Sequence, residues 1–91
     1  MVNTFRSTII VMPLAFVFIN CLPDQLLRVE RKVGQMAGVV ESYSTNGIYD
    51  ILLKVKADNE AALRDIIKSV KRIRGIASTI TSIAYKEDDN K

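Results

Sequence analysis

The sequence predicts a two-layer α+β domain, an antiparallel four-stranded sheet with two helices on one face, in the order strand, helix, strand, strand, helix, strand. Three observations predict it. Two stretches with apolar residues at three- and four-residue spacing each lead to a glycine that opens a strand-like run. These are Gly38 before Val39-Val40-Glu41-Ser42 and Gly75 before Ile76-Ala77-Ser78-Thr79, a faint internal repeat. Between the halves stands Asn46-Gly47, flanked by alternating residues, a strong hairpin signal. Finally, 91 residues that are 48% hydrophobic and 25% charged suit one small folded core and exclude a disordered chain.

The first strand is predicted over Ala15-Phe16-Val17-Phe18-Ile19-Asn20-Cys21, too short for a helix and rich in β-branched and aromatic residues. Ala15, Val17 and Ile19 lie on one face, Phe16 and Phe18 on the other. Both faces are apolar, which marks a central strand. Pro23 and Asp24 suit the first turn of a helix whose stripe is Leu26, Val29, Val33 and Met36, closed by Gly38. Val39–Ser44 is the second strand, alternating Val39, Glu41 and Tyr43 against Val40, Ser42 and Ser44. After the hairpin, Tyr49–Lys56 is the third, with Tyr49, Ile51, Leu53 and Val55 sharing a face.

Asp58 and Asn59 are candidate caps for the second helix, whose stripe is Leu63, Ile66, Ile67, Val70 and Ile73. Its basic residues Lys71, Arg72 and Arg74 suit the negative C-terminal pole, and Gly75 ends it. Ile76–Tyr85 is the last strand. Two strand–helix–strand halves make a ferredoxin-like sheet. Depending on register, its helix-free face carries Phe16, Phe18 or their neighbours, with Leu52, Thr79, Thr81, Ile83 and Tyr85. That face is too apolar for water, so a second copy of the chain is the expected cover.

The N-terminus imitates a signal peptide, with Arg6 ahead of an apolar run from Ile9 to Ile19. No small-x-small cleavage site follows, and the run is shorter than the roughly 20 residues a bilayer span needs. The expected division is an appendage over 1–11, the domain over 12–86 and a polar tail over 87–91. Met12 is an alternative start.

Composition narrows the chemistry. There is no histidine or tryptophan and a single cysteine, Cys21. This removes histidine acid–base and metal chemistry, Cys/His nucleophile pairs and an internal disulfide. Carboxylates are scattered rather than paired. We expect no catalytic residue, no metal and no cofactor. The formal net charge of +3 permits nucleic-acid contact without demanding it. Lys68, Lys71, Arg72 and Arg74 read as a solvated helix face, and no aromatic–basic RNA signature accompanies them.

Three places invite a ligand. Asp50, unusual in a strand, reads either as a solvated hairpin end or as a carboxylate for an ammonium group. Gly47 reads either as a turn residue needing positive φ or as an opening for a ligand carboxylate to reach backbone N–H groups. Thr79 and Thr81 share a strand face and can present two hydroxyls to one polar ligand, or serve only as strand formers.

These residues bear a family resemblance. Ala15-Phe16-Val17-Phe18-Ile19-Asn20, then Gly38-Val39 to Ser44, then Gly47-Ile48-Tyr49-Asp50-Ile51-Leu52-Leu53-Lys54-Val55 resemble the effector-binding domain of the Lrp/AsnC transcription regulators, also called the domain for regulation of amino-acid metabolism. The likeness continues through Ile73-Arg74-Gly75-Ile76 and Ser78-Thr79-Ile80-Thr81. It implies the ferredoxin-like fold, two copies packed sheet on sheet, and rings of dimers, commonly octamers. It implies an effector, usually an amino acid, held in clefts between dimers. Gly47, Tyr49 and Asp50 fall on the family's Gly-x-Tyr-Asp segment, and Thr79 and Thr81 on its Thr-x-Thr segment.

Regulators of this family carry a helix-turn-helix domain ahead of the effector domain. Too few residues precede the first strand here for the helices such a motif needs. The expectation is therefore a stand-alone, cytoplasmic, non-catalytic module. It would sense a metabolite or co-assemble with full-length regulators, without specific DNA binding of its own and without a membrane. The rival expectation is a dimeric ferredoxin-like monooxygenase.

Overall fold

In the computed structural model the backbone is described for residues 10–88 and the side chains for residues 13–85. β1 spans Ile10–Cys21, α1 Leu26–Gly34, β2 Val39–Ser44, β3 Ile51–Lys56, α2 Glu60–Lys71 and β4 Ile76–Asp88. The strand order is β2-β3-β1-β4 and every neighbouring pair is antiparallel. This is the ferredoxin-like sheet the sequence predicts.

β1 is central because both its faces are apolar. Its Ala15, Val17 and Ile19 lie opposite Val55, Leu53 and Ile51 of β3, and all six are buried beneath the helices. Val29 and Val33 of α1 and Leu63, Ile67 and Val70 of α2 close the core over them. Each such side chain contributes roughly 1.5–3 kcal/mol by leaving water. Asn59 caps α2 as predicted, its side-chain oxygen accepting the Ala62 N–H at 2.8 Å.

Several boundaries differ from expectation. α1 begins only at Leu26, because Asp24 takes φ +66° in the turn after β1 and cannot join a helix. It stops at Gly34, where the Gln35 and Met36 N–H groups bond three residues back and tighten the last turn. β1 and β4 run past the expected strands, pairing from Ile10 opposite Asp88 through Met12 opposite Lys86. Residues 1–9 and 89–91 of the expected appendage and tail lie outside the described residues.

The register decides the faces, and here the expectation needs correcting. Thr79, Thr81, Ile83 and Tyr85 lie opposite Ile19, Val17, Ala15 and Pro13, so they share the helix side. The open face instead carries Phe16 and Phe18 with Leu52 and Lys54 of β3, Tyr43 and Glu41 of β2, and Ile80 and Ser82 of β4. Tyr43 and Ile80 remain about half exposed there. The predicted alternation of β2 also breaks. A bulge between Val39 and Glu41 puts Val39 against the core and Glu41 on the open face.

The internal repeat has a structural counterpart. Gly38 and Gly75, each following a helix, have φ of +94° and +106° and each packs against the other helix. A Cβ on Gly38 would stand 2.4 Å from Ile66 Cδ1 of α2, and one on Gly75 3.0 Å from Val29 Cγ2 of α1. Only glycine permits both the backbone conformation and the close approach. Gly47 is different, since its φ is not positive and a Cβ there would meet nothing within 4 Å. Gly38→Ala should therefore cost about 2–4 kcal/mol by urea denaturation, adding left-handed strain to overpacking. Gly47→Ala should change stability by less than about 0.5 kcal/mol.

Candidate functional site

The segment joining β2 to β3 is a six-residue loop, 45–50, rather than the two-residue turn that Asn46-Gly47 suggested. The Thr45 N–H bonds the Asp50 carbonyl at 2.9 Å, and the Thr45 hydroxyl donates to the Tyr49 carbonyl. The tip is open to water, with Ile48 82% exposed. Tyr49 precedes β3 rather than joining the buried face of that strand. Its ring packs on Phe18, centroids 5.2 Å apart and planes tilted by 45°, which sets it on the open sheet face.

Asp50 is a structural knot as well as a candidate ligand. Its N–H donates to the Ile19 carbonyl at 2.9 Å, and its Oδ2 accepts the Cys21 N–H at 2.8 Å. Cys21 lies at the bulge where β1 and β4 lose register, so this N–H needs a partner and the carboxylate supplies one. Oδ1 has no hydrogen-bond partner among the described residues. Burial, and next the Asp50 and Glu30 charges, push the Cys21 thiol above its ordinary pKa. It is a neutral thiol rather than a nucleophile.

Thr79 and Thr81 stand on β4, which β1 separates from β3 by two strand spacings, roughly 10 Å. One protomer therefore does not bring the threonines to Gly47, Tyr49 and Asp50. Thr81 lines a cleft of about 230 Å³ between α2 and β4, together with Arg64, Ile67, Lys68, Lys71 and Ile83. Its hydroxyl oxygen is buried and, among the described residues, is the one side-chain polar atom in that condition without a partner. Lys68 and Lys71, expected to form a solvated helix face, are exposed and also border this cleft. The 64-68-71 spacing, which puts three cations on one helix face, is the sequence signal for it.

Beside the cleft, the Tyr85 hydroxyl donates to the Glu60 carboxylate, which also lies 3.9 Å from Arg64. The Tyr43 hydroxyl donates to Glu41 at 2.9 Å. These hydrogen bonds hold both phenols protonated to higher pH than usual. Among the described residues no group of three or more Cys, Asp or Glu side chains converges as metal ligands. Nor is any of their helices long and apolar enough to cross a membrane.

Residues 14–90 match the Lrp/AsnC ligand binding domain. The chain belongs to that family. Several solved structures share the fold. A hypothetical protein of Pyrococcus horikoshii aligns at TM-score 0.75 and 30% identity, over 80% of this chain and 89% of its own. AsnC of E. coli aligns at TM-score 0.72 and 28% identity, over 79% of this chain and 50% of that regulator. A different kind of relative is the homocitrate synthase of Sulfolobus acidocaldarius, 39% identical over 59 residues. That stretch is 65% of this chain but spans only 13% of the synthase. The shared segment is thus a small part of a much larger protein.

As an Lrp/AsnC ligand-binding domain, the chain shares its fold with AsnC of E. coli. The Asp50–Cys21 contact gives a direct test within it. Asp50→Asn keeps an acceptor for the Cys21 N–H but removes a charge that raises the thiol pKa. Iodoacetamide labelling of Cys21 at fixed pH should then speed up, because more thiolate is present, with little change in melting temperature. Asp50→Ala strips the acceptor and should cost about 1.5–3 kcal/mol of stability.

Proposed function

We propose that this domain is a non-catalytic sensor of a free amino acid, whose binding site is completed only between subunits. The observation that carries the reading is the family match over residues 14–90, combined with the separation of the two ligand-type segments within one protomer. In the proposed site, Gly47, Tyr49 and Asp50 come from one subunit and Thr79 and Thr81 from a neighbour. Exposed backbone at Gly47 and the threonine hydroxyls receive the ligand carboxylate, while Oδ1 of Asp50 takes its ammonium. Oδ2 stays with Cys21, so the fold fixes the direction of the other oxygen.

Assembly follows from the open sheet face. Phe16, Phe18, Leu52, Tyr43 and Ile80 form an apolar surface that a second copy covers, giving a homodimer and, through further contacts, a ring such as an octamer. Signal output then has two routes, metabolite sensing by the homo-oligomer or co-assembly with full-length Lrp/AsnC regulators. The homocitrate synthase likeness favours a second reading, in which the effector domain regulates a biosynthetic enzyme rather than a DNA-binding protein.

A thermal-shift screen of the twenty amino acids tests the reading. One of them at about 100 times its dissociation constant should stabilise the protein by about 2.7 kcal/mol. Gly47→Ala, neutral for folding, should weaken that ligand by crowding the backbone it approaches. Asp50→Asn should weaken it by about 1.5–3 kcal/mol through loss of the charged acceptor. No stabilisation by any amino acid, or affinity unchanged in both variants, rejects the site.

A further inference from the structure

α1 and α2 each pack on the sheet more than on each other, which leaves a furrow between them. Two adjoining hollows lie along it. One, of about 310 Å³, is lined by Met36, Ala37, Asp65, Ile66 and Ser69. The other, of about 320 Å³, is lined by Lys32, Gln35, Met36 and Ile73. Met36 is shared by both. Met36, Ile66 and Ile73 are only partly buried, packing on the core from one side and bordering the hollows from the other.

The surround of this furrow is charged. Residues 26–37 and 60–74, which hold both helices and their last turns, carry eight Lys and Arg against three Asp and Glu, a net of +5. The rest of the chain carries five against seven, a net of −2. The mild overall excess of cations is thus a strong one on the helix layer. Lys32 borders one hollow and Asp65 the other. Arg28 lies one turn before Lys32 and Arg72 one turn beyond Ser69, so both flank the Lys32 end, and both are exposed. Among the described residues none of Arg28, Lys32 and Arg72 makes an ion pair.

These features choose among occupants. A second copy offering the same layer would set one net positive surface against another, which opposes the contact. A nucleic acid would use the cations, but its phosphates have nothing to place in two apolar hollows and meet a carboxylate at Asp65. An amphipathic helix uses everything present. Its apolar side chains recur one turn apart, as adjoining hollows require, and its carboxylates complement the rim. Met36, on the shared wall, has the rotational freedom to fit such side chains.

We propose that the furrow between α1 and α2 docks a short acidic amphipathic helix of another protein. Two of its apolar side chains occupy the hollows against Met36, Ile66 and Ile73, and its carboxylates stand by Arg28, Lys32 and Arg72. The surface goes beyond the amino-acid reading and shares no residue with that site. It also leaves the open face of the sheet to a second copy.

Fluorescence anisotropy of the whole protein with a labelled helical peptide of leucine and glutamate, about 18 residues or five turns long, tests it. With its leucines three and four residues apart, the peptide should bind saturably at one site per chain. The same residues reordered to abolish the apolar face should bind at least about tenfold more weakly. Lys32→Glu, at an exposed position, should weaken the first peptide at least about tenfold. Ser69→Trp, also exposed, puts bulk into one hollow without changing charge and should weaken it at least about fivefold.

The proposal is overturned if the first peptide does not bind, if the two peptides bind alike, or if either variant leaves affinity unchanged. Salt-sensitive binding of duplex DNA that Lys32→Glu abolishes and Ser69→Trp spares would overturn it too, since the layer would then serve a nucleic acid. A loss of oligomer mass in Lys32→Glu would assign the furrow to a second copy instead. The amino-acid screen involves none of these residues, so either result stands if the other fails.

Discussion

Everything in this domain hangs on β1 being apolar on both sides. Ala15, Val17 and Ile19 draw both helices onto one face of the sheet, and with them the cores of β3 and α2. Phe16 and Phe18 offer the opposite face equally apolar material, but the chain supplies no third layer to cover it among the described residues. A helix layer stabilises one side, and in the proposed assembly the other side is the contact with a neighbour. The same strand thus sets the fold and the face on which the proposed assembly rests.

Where β1 ends, the loop of the proposed ligand site is anchored to it. Asp50 ties the 45–50 loop to Ile19 and Cys21, and Leu22 N–H bonds the Gly75 carbonyl at 2.8 Å at the start of β4. The loop keeps an open tip while its base is held by backbone and carboxylate bonds. That combination, a rigid base with exposed backbone above it, would lower the entropy lost by a ligand of the proposed site. On the far edge, β4 keeps Thr81 under α2, in the cleft that Arg64, Lys68 and Lys71 also line. The two segments serve one small ligand only if a second subunit brings them together.

The element order was legible in the sequence because helical and strand periodicities alternate cleanly and glycines punctuate both halves. Family membership was legible too, through Gly-x-Tyr-Asp and Thr-x-Thr in register with six elements. Facing was not. Thr79 and Thr81 form a stripe that fits either side of the sheet, and only pairing with Ile19 and Val17 shows that they face the helices. The bulge after Val39 likewise turns Glu41 to the side that simple alternation denies it. Asp50 looked like a surface carboxylate because its partner is a backbone N–H distant in sequence. The cleft was missed because its cations are unremarkable until β4 is placed beneath them.

The central claim is that the open face of the sheet is an interface between copies of this chain. Sedimentation equilibrium of the whole protein at low micromolar concentration tests it most directly. The account predicts a mass that is a multiple of the 10.2 kDa chain, with no monomer detectable. A single stable 10.2 kDa species, folded and soluble with Phe18 and Ile80 facing water, would contradict it.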